Sequence, residues 1–146
     1  MPNQLPENYP SRLRIDREVN DKYFEPIVSE KISPFYKRGK IGVYIISAAL
    51  GYKNQLNKKT QKGIDLGNVR ELDSKVIWLL LSIAICEKNS TDILLDGASA
   101  IRIAEEYANG GAKILYDKIF KKQFSFSMDN ELIKILDKEF SKTKAK

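Results

Sequence analysis

The sequence predicts an all-α fold, a single-domain bundle of about five or six helices with a minor strand pair as an added element. Three observations predict it. Apolar residues recur at spacings of three and four in segment after segment, and Pro, Gly and Asn mark the joints between them. The 146 residues suit one domain. The 42% hydrophobic and 30% charged content is that of an ordinary globular chain rather than a disordered or fibrous one.

Residues 1–11 read as an irregular arm, 12–142 as the helical domain and 143–146 as a frayed tail. Arg12 to Ile15 alternates charged and apolar side chains, which suits a short strand or extended lead-in. Asp16 is placed to cap a helix carrying Val19, Tyr23, Phe24 and Ile27, and Pro26 shortens or kinks that helix. A second helix is expected from about Gly39 to Tyr52, apolar on most sides and ended near Gly51. Lys53 to Arg70, punctuated by Gly63 and Gly67, reads as a surface loop, and a strand pair between Leu13–Ile15 and Ile64–Val69 is the minor alternative. Asp73 or Ser74 caps a third helix whose buried side holds Val76, Ile77, Leu80, Leu81, Ala84 and Ile85. Thr91 or Asp92 opens a short turn through Leu95. Asp96 or Ser99 then starts a helix with Ile101, Ile103, Ala104, Tyr107 and Ala108. Asn109-Gly110-Gly111 is expected to cap or kink that helix, because glycine takes the left-handed conformation cheaply. Helical spacing resumes at Ile114, Leu115, Ile119 and Phe120. After a connector with Phe124 and Phe126, a last helix holds Leu132, Ile133, Leu136 and Phe140.

Composition excludes whole classes of chemistry. There is no histidine, so catalytic triads, Cys–His dyads and His-ligated zinc or haem are out. The single cysteine rules out an internal disulfide and cysteine-built metal clusters. That residue, Cys86, ends the apolar run Val76 to Cys86 and is expected to be an inert buried thiol. The run is about half of what a bilayer span needs, and the proline-rich opening residues do not form a secretory signal, so a cytoplasmic protein without a membrane partner is expected. No phosphate-binding P-loop and no dinucleotide-binding glycine pattern occurs. Glu105 and Glu106 are adjacent, so on a helix they diverge by about 100° and make a poor metal pair. No cofactor and no metal are expected.

Two segments stand out. Net charge is +6, and Lys53, Lys58, Lys59, Lys62 and Arg70 crowd a stretch with one acid, Asp65. Such a stretch contacts nucleic-acid phosphates by displacing counterions, or is simply a solvated loop. No aromatic residue is interleaved within it, which argues against stacking on single-stranded bases. The second segment is IAEEYANGGAKIL, Ile103 to Leu115. Its glycines fit a helix junction. Alternatively, Glu105, Glu106, Tyr107, Asn109, Gly110 and Gly111 form a surface where another protein's backbone comes close. The aromatic residues Tyr9, Tyr23, Phe24, Phe35 and Tyr36 are either core or an exposed patch for a partner.

Read together, several strings resemble a known family. They are RIDRE at Arg14 to Glu18, AALGYKN at Ala48 to Asn54, SIAICE at Ser82 to Glu87, and EEYANGG within the second segment. This order resembles the small proteins associated with DNA phosphorothioation (Dnd) systems, dnd system-associated protein 4, over roughly Arg14 to Ile119. The resemblance implies a place beside DNA sulfur modification and its linked restriction of foreign DNA. It therefore implies a non-enzymatic accessory subunit of a bacterial anti-phage defence system. Its partner would be a larger ATPase or nuclease subunit, touched through Glu105–Gly111. Double-stranded DNA would be met through the phosphates by the five basic residues. Two other classes remain open. A free-standing DNA-binding regulator would need a recognition helix, for which Arg102 stands mostly alone. A metal-dependent nuclease would have to draw on Glu105 or Glu106.

Overall fold

The computed structural model describes residues 9–121. β1 (Arg12–Asp16) and β2 (Gly63–Asn68) pair antiparallel, with Arg12 opposite Asn68 and Leu13 opposite Gly67. After a bulge, Arg14 lies opposite Asp65, Ile15 opposite Ile64 and Asp16 opposite Gly63. The two-residue period of β1 sends Leu13 and Ile15 into the core and Arg12 and Arg14 to solvent. The strand pair is therefore present, and β2 lies inside the stretch that reads as a loop. The loop proper shrinks to residues 54–62.

α1 (Arg17–Val19) runs through a π-helical turn (Asn20–Phe24) into α2 (Glu25–Ser29). Pro26 falls in the first turn of α2, directly after the π-helical turn. Asp16 precedes α1 but makes no side-chain cap. Its carboxylate accepts instead from the backbone N–H groups of Gln61 and Lys62, 2.8 and 3.1 Å away.

α3 (Lys40–Lys53) buries Val43, Tyr44, Ser47, Ala48 and Gly51 on one face. Ile46 and Ala49 point outward, so this helix is covered on one side rather than most sides. Gly51 does not end it. α4 (Ser74–Lys88) is capped by Asp73, whose side chain accepts from Lys75 N at 2.8 Å, and stops at Asn89 in the left-handed region with φ 52°. Ile77, Leu80, Leu81 and Ala84 face the core. Cys86 follows Ala84 by two residues, about 200° around the helix, and is exposed rather than buried. Ser90, not Thr91 or Asp92, caps the 3-10 turn Thr91–Leu95.

α5 (Gly97–Phe120) is one unbroken helix, opened by Asp96, which accepts from Ser99 N. The expected break at Asn109-Gly110-Gly111 is absent, two expected helices are one, and no glycine has positive φ. The glycines answer a steric demand instead. A Cβ on Gly111 would stand 1.8 Å from the Ser47 carbonyl oxygen, one on Gly51 2.1 Å from the Tyr107 carbonyl oxygen, and one on Gly110 1.9 Å from the Leu56 carbonyl oxygen. α3 and α5 thus cross with backbone against backbone, and this is the most extensive contact between elements.

Buried side chains from β1, the helices and the β2 end form one cluster. Tyr9 and Phe24 belong to it, and Tyr23 and Phe35 pack against it, so these aromatics are core. Tyr36 is half-buried, with the Lys37 ammonium over its ring. Tyr9 covers Gly97 and donates its hydroxyl to the Leu94 carbonyl. The expected last helix, the connector with Phe124 and Phe126, the tail and residues 1–8 of the arm lie outside the described residues.

Candidate nucleic-acid interface

The lysine loop and the EEYANGG segment, far apart in sequence, are one substructure. Asn109, buried on α5, is the hub. Its side-chain oxygen accepts from Asp16 N at 3.0 Å, and its amide donates to the Lys58 carbonyl and to Thr60 Oγ1 at 2.9 and 2.8 Å. The Thr60 hydroxyl in turn donates to the Glu105 carboxylate. Lys58 N donates to the Glu106 carbonyl, and Arg17 N to the Lys62 carbonyl. With the two N–H groups on Asp16, the loop is fastened to α5 on one side and to the start of α1 on the other. A polar network satisfied in this way fixes one conformation of the loop.

Each residue of the motif has a task inside this arrangement. Gly110 lets the Leu56 carbonyl sit on α5, and Gly111 admits α3. Tyr107 is buried, donates its hydroxyl to Glu87, and meets the Tyr52 ring edge-on with centroids 5.4 Å apart. Burial and the bond to Glu87 push its hydroxyl up to about 12. Asn109 and Gly111 are buried as well, while Glu105, Glu106 and Gly110 keep part of their surface. As a direct contact for another protein, the segment offers only those three.

The five basic residues are all exposed. Lys58, Lys59 and Lys62 are brought together on the fastened loop. Lys53 stands on the last turn of α3, and Arg70 lies beyond β2, which interposes about 17 Å of strand. Arg70 is thus separated from the lysines it accompanies in sequence.

Lys59 borders a cleft of about 450 Å³ that spacing alone did not reveal. Arg14 of β1 and Arg102, Glu105 and Glu106 of α5 also line it, with Thr60, Gln61 and Gly63 between them. The two glutamates diverge on the helix yet border the same cleft, because the loop wraps that side of α5. The Arg14 guanidinium lies across Gly63, donating to its carbonyl at 3.1 Å, and a Cβ on Gly63 would sit 2.9 Å from Arg14 Nε. Burial raises the Glu105 carboxyl above its usual range, while the Thr60 hydroxyl and the charges of Arg14 and Arg102 pull the other way. For Asp16, burial also raises the carboxyl, but hydrogen bonds from the Lys62 and Gln61 N–H groups and the charge of Lys58 outweigh it and leave the pKa lowered.

Sequence reasoning missed Arg14, Thr60, Gln61 and Gly63. The register of the strand pair was the one available signal, since it sets Arg14 beside Asp65 and Gly63. Among the described residues, no three His, Cys, Asp or Glu side chains come together as metal ligands, and no helix is long and apolar enough to cross a membrane.

The family model described as DNA sulphur modification system-associated protein 4 matches residues 27–146. No curated protein and no solved structure matches the chain.

Proposed function

Because the chain belongs to the DNA sulphur modification system-associated protein 4 family, we propose that it is a non-catalytic accessory subunit of a bacterial defence system linked to that modification. In this role it holds double-stranded DNA by its phosphates and a larger protein of the system, an ATPase or a nuclease. One observation carries the DNA half of the reading. Lys58, Lys59 and Lys62 sit on a loop fastened at both sides by Asn109, Asp16 and Thr60. A loop already ordered loses little further conformational freedom when it meets a phosphate backbone, so more of each charge contact survives as affinity. Lys53 and Arg70 extend the contact at its two ends.

The non-catalytic part rests on composition: a chain without histidine and with one exposed thiol has few groups suited to general acid–base or nucleophilic work at neutral pH. For the protein partner, the support is apolar surface. Trp78 and Leu79 on α4 are 48% and 53% exposed, and large aromatics in such positions commonly anchor protein interfaces.

Fluorescence anisotropy of a labelled duplex at increasing salt tests the DNA half. Affinity is expected to fall steeply with salt, and a Lys58→Ala/Lys59→Ala double change is expected to flatten that slope by about two. Absent or salt-insensitive binding would remove DNA from the reading and leave the protein partner alone.

A further inference from the structure

We infer that the cleft walled by Arg14, Lys59 and Arg102 is a phosphate subsite, so that the DNA footprint reaches past the loop onto β1 and α5. As a DNA contact this rests on the reading above; as a site for phosphate oxygens it stands on the cleft itself.

Three cations arrive there from three different elements. Among the described residues, the Lys59 and Arg102 side chains make no hydrogen bond or close ion pair, although both line the opening and Arg102 lies within reach of the Asp96 and Glu105 charges. The third, Arg14, is set in place. Gly63 lacks the side chain that would displace the guanidinium, and its carbonyl holds one end. A planar guanidinium oriented in this way suits two phosphate oxygens at once, and a nearby ammonium adds an unoriented charge.

Two carboxylates also border the cleft, and they decide what kind of ligand fits. Glu105 opposes an anion by its charge, but its carboxylate is already engaged by the Thr60 hydroxyl. Glu106 holds the loop through its backbone carbonyl, while its side chain stays at the edge. A ligand carrying one phosphate group is therefore favoured over a denser polyanion. A backbone phosphodiester and a free phosphate monoester share this chemistry, and the experiment separates them.

The test is an amide NMR titration of the full chain with inorganic phosphate at low ionic strength, paired with duplex anisotropy. Phosphate is expected to shift the amides of Thr60 to Gly63 saturably. Arg102→Ala removes no internal hydrogen bond and should weaken that binding about tenfold. Gly63→Ala, which pushes Arg14 aside, should weaken it too, whereas Glu105→Gln should tighten it several-fold. On duplex DNA, Arg102→Ala should lower the slope of log affinity against log salt by about one. If duplex binds and Arg102→Ala leaves its slope untouched while Lys58→Ala does not, the subsite is wrong and the DNA reading survives. If duplex fails to bind but phosphate saturates the cleft, the DNA reading falls and the subsite belongs to a free phosphate ligand. If phosphate moves no amide of the cleft and no duplex slope changes, the inference is overturned outright.

Discussion

α5 meets its two helical neighbours in opposite ways. Against α3 it presents Tyr107 and Gly111 to Ser47 and Gly51, so main chain lies on main chain, and Gly110 takes the Leu56 carbonyl of the following loop in the same way. α4 instead turns Ile77, Leu80, Leu81 and Ala84 into the core. The first seam has no spare volume, and its geometry is fixed to within a fraction of a methyl group. The second is filled by side chains that can change rotamer and repack. The difference explains where the polar network is found. A hub such as Asn109 holds three partners only if the helix carrying it cannot slide, and the glycine seam supplies that restraint one and two residues further on.

The contrast can be broken most severely at the glycines. Gly111→Ala places a methyl 1.8 Å from a backbone oxygen, and no flexible side chain is there to yield. It should cost about 4 kcal/mol or more in urea unfolding, enough to abolish the folded state of a marginal domain. Leu80→Ala, on the other seam, should cost about 3 kcal/mol and leave a folded protein with an unchanged denaturant slope. Equal costs from the two changes would erase the distinction. Asn109→Ala comes next. It strips three hydrogen bonds from buried or half-buried groups and should cost about 2 kcal/mol. It should also loosen the loop, seen as faster amide exchange at Lys58 to Lys62 while α4 stays protected.

The smallest expected effect is on pH. The folded Asp16 carboxyl titrates lower than an unfolded one, so its stabilisation is present above the unfolded value near 4 and disappears as pH falls through the folded value. Glu105 runs the other way. Its raised folded pKa removes stability as pH climbs from the unfolded value through the folded one. Thermal melts between pH 2.5 and 7 should therefore show an acid loss that Asp16→Asn flattens and a gentler decline above pH 4 that Glu105→Gln removes.

The α4 seam was legible in the sequence and the α3 seam was not, for a physical reason. Leu80, Leu81 and Ala84 announce their burial through local periodicity, and Asp73 through its place ahead of that periodicity. Gly110 and Gly111 carry two meanings, left-handed turn or close approach. Only the position of Ser47 and Gly51, some sixty residues upstream, decides between them. The same non-locality hid the job of Asp16. Its position suits a helix cap, yet it serves a loop 45 residues away. β2 was half visible, since Ile64 and Leu66 alternate but sit between glycines, and its partner strand lies some fifty residues earlier. The lysines themselves were plain in the sequence, whereas the cleft beside them needed β1, the loop and α5 to be assembled first.

The family match opens at residue 27, eleven positions beyond Asp16. A protein trimmed to that boundary would keep Lys53, Lys58, Lys59 and Lys62 and lose what aims them: the strand that holds β2, the amide that Asn109 grips, and the carboxylate that ties down Gln61 and Lys62. Its charge would hang on a slack tether, and a failure of such a truncated chain to grip DNA would say nothing about the intact one.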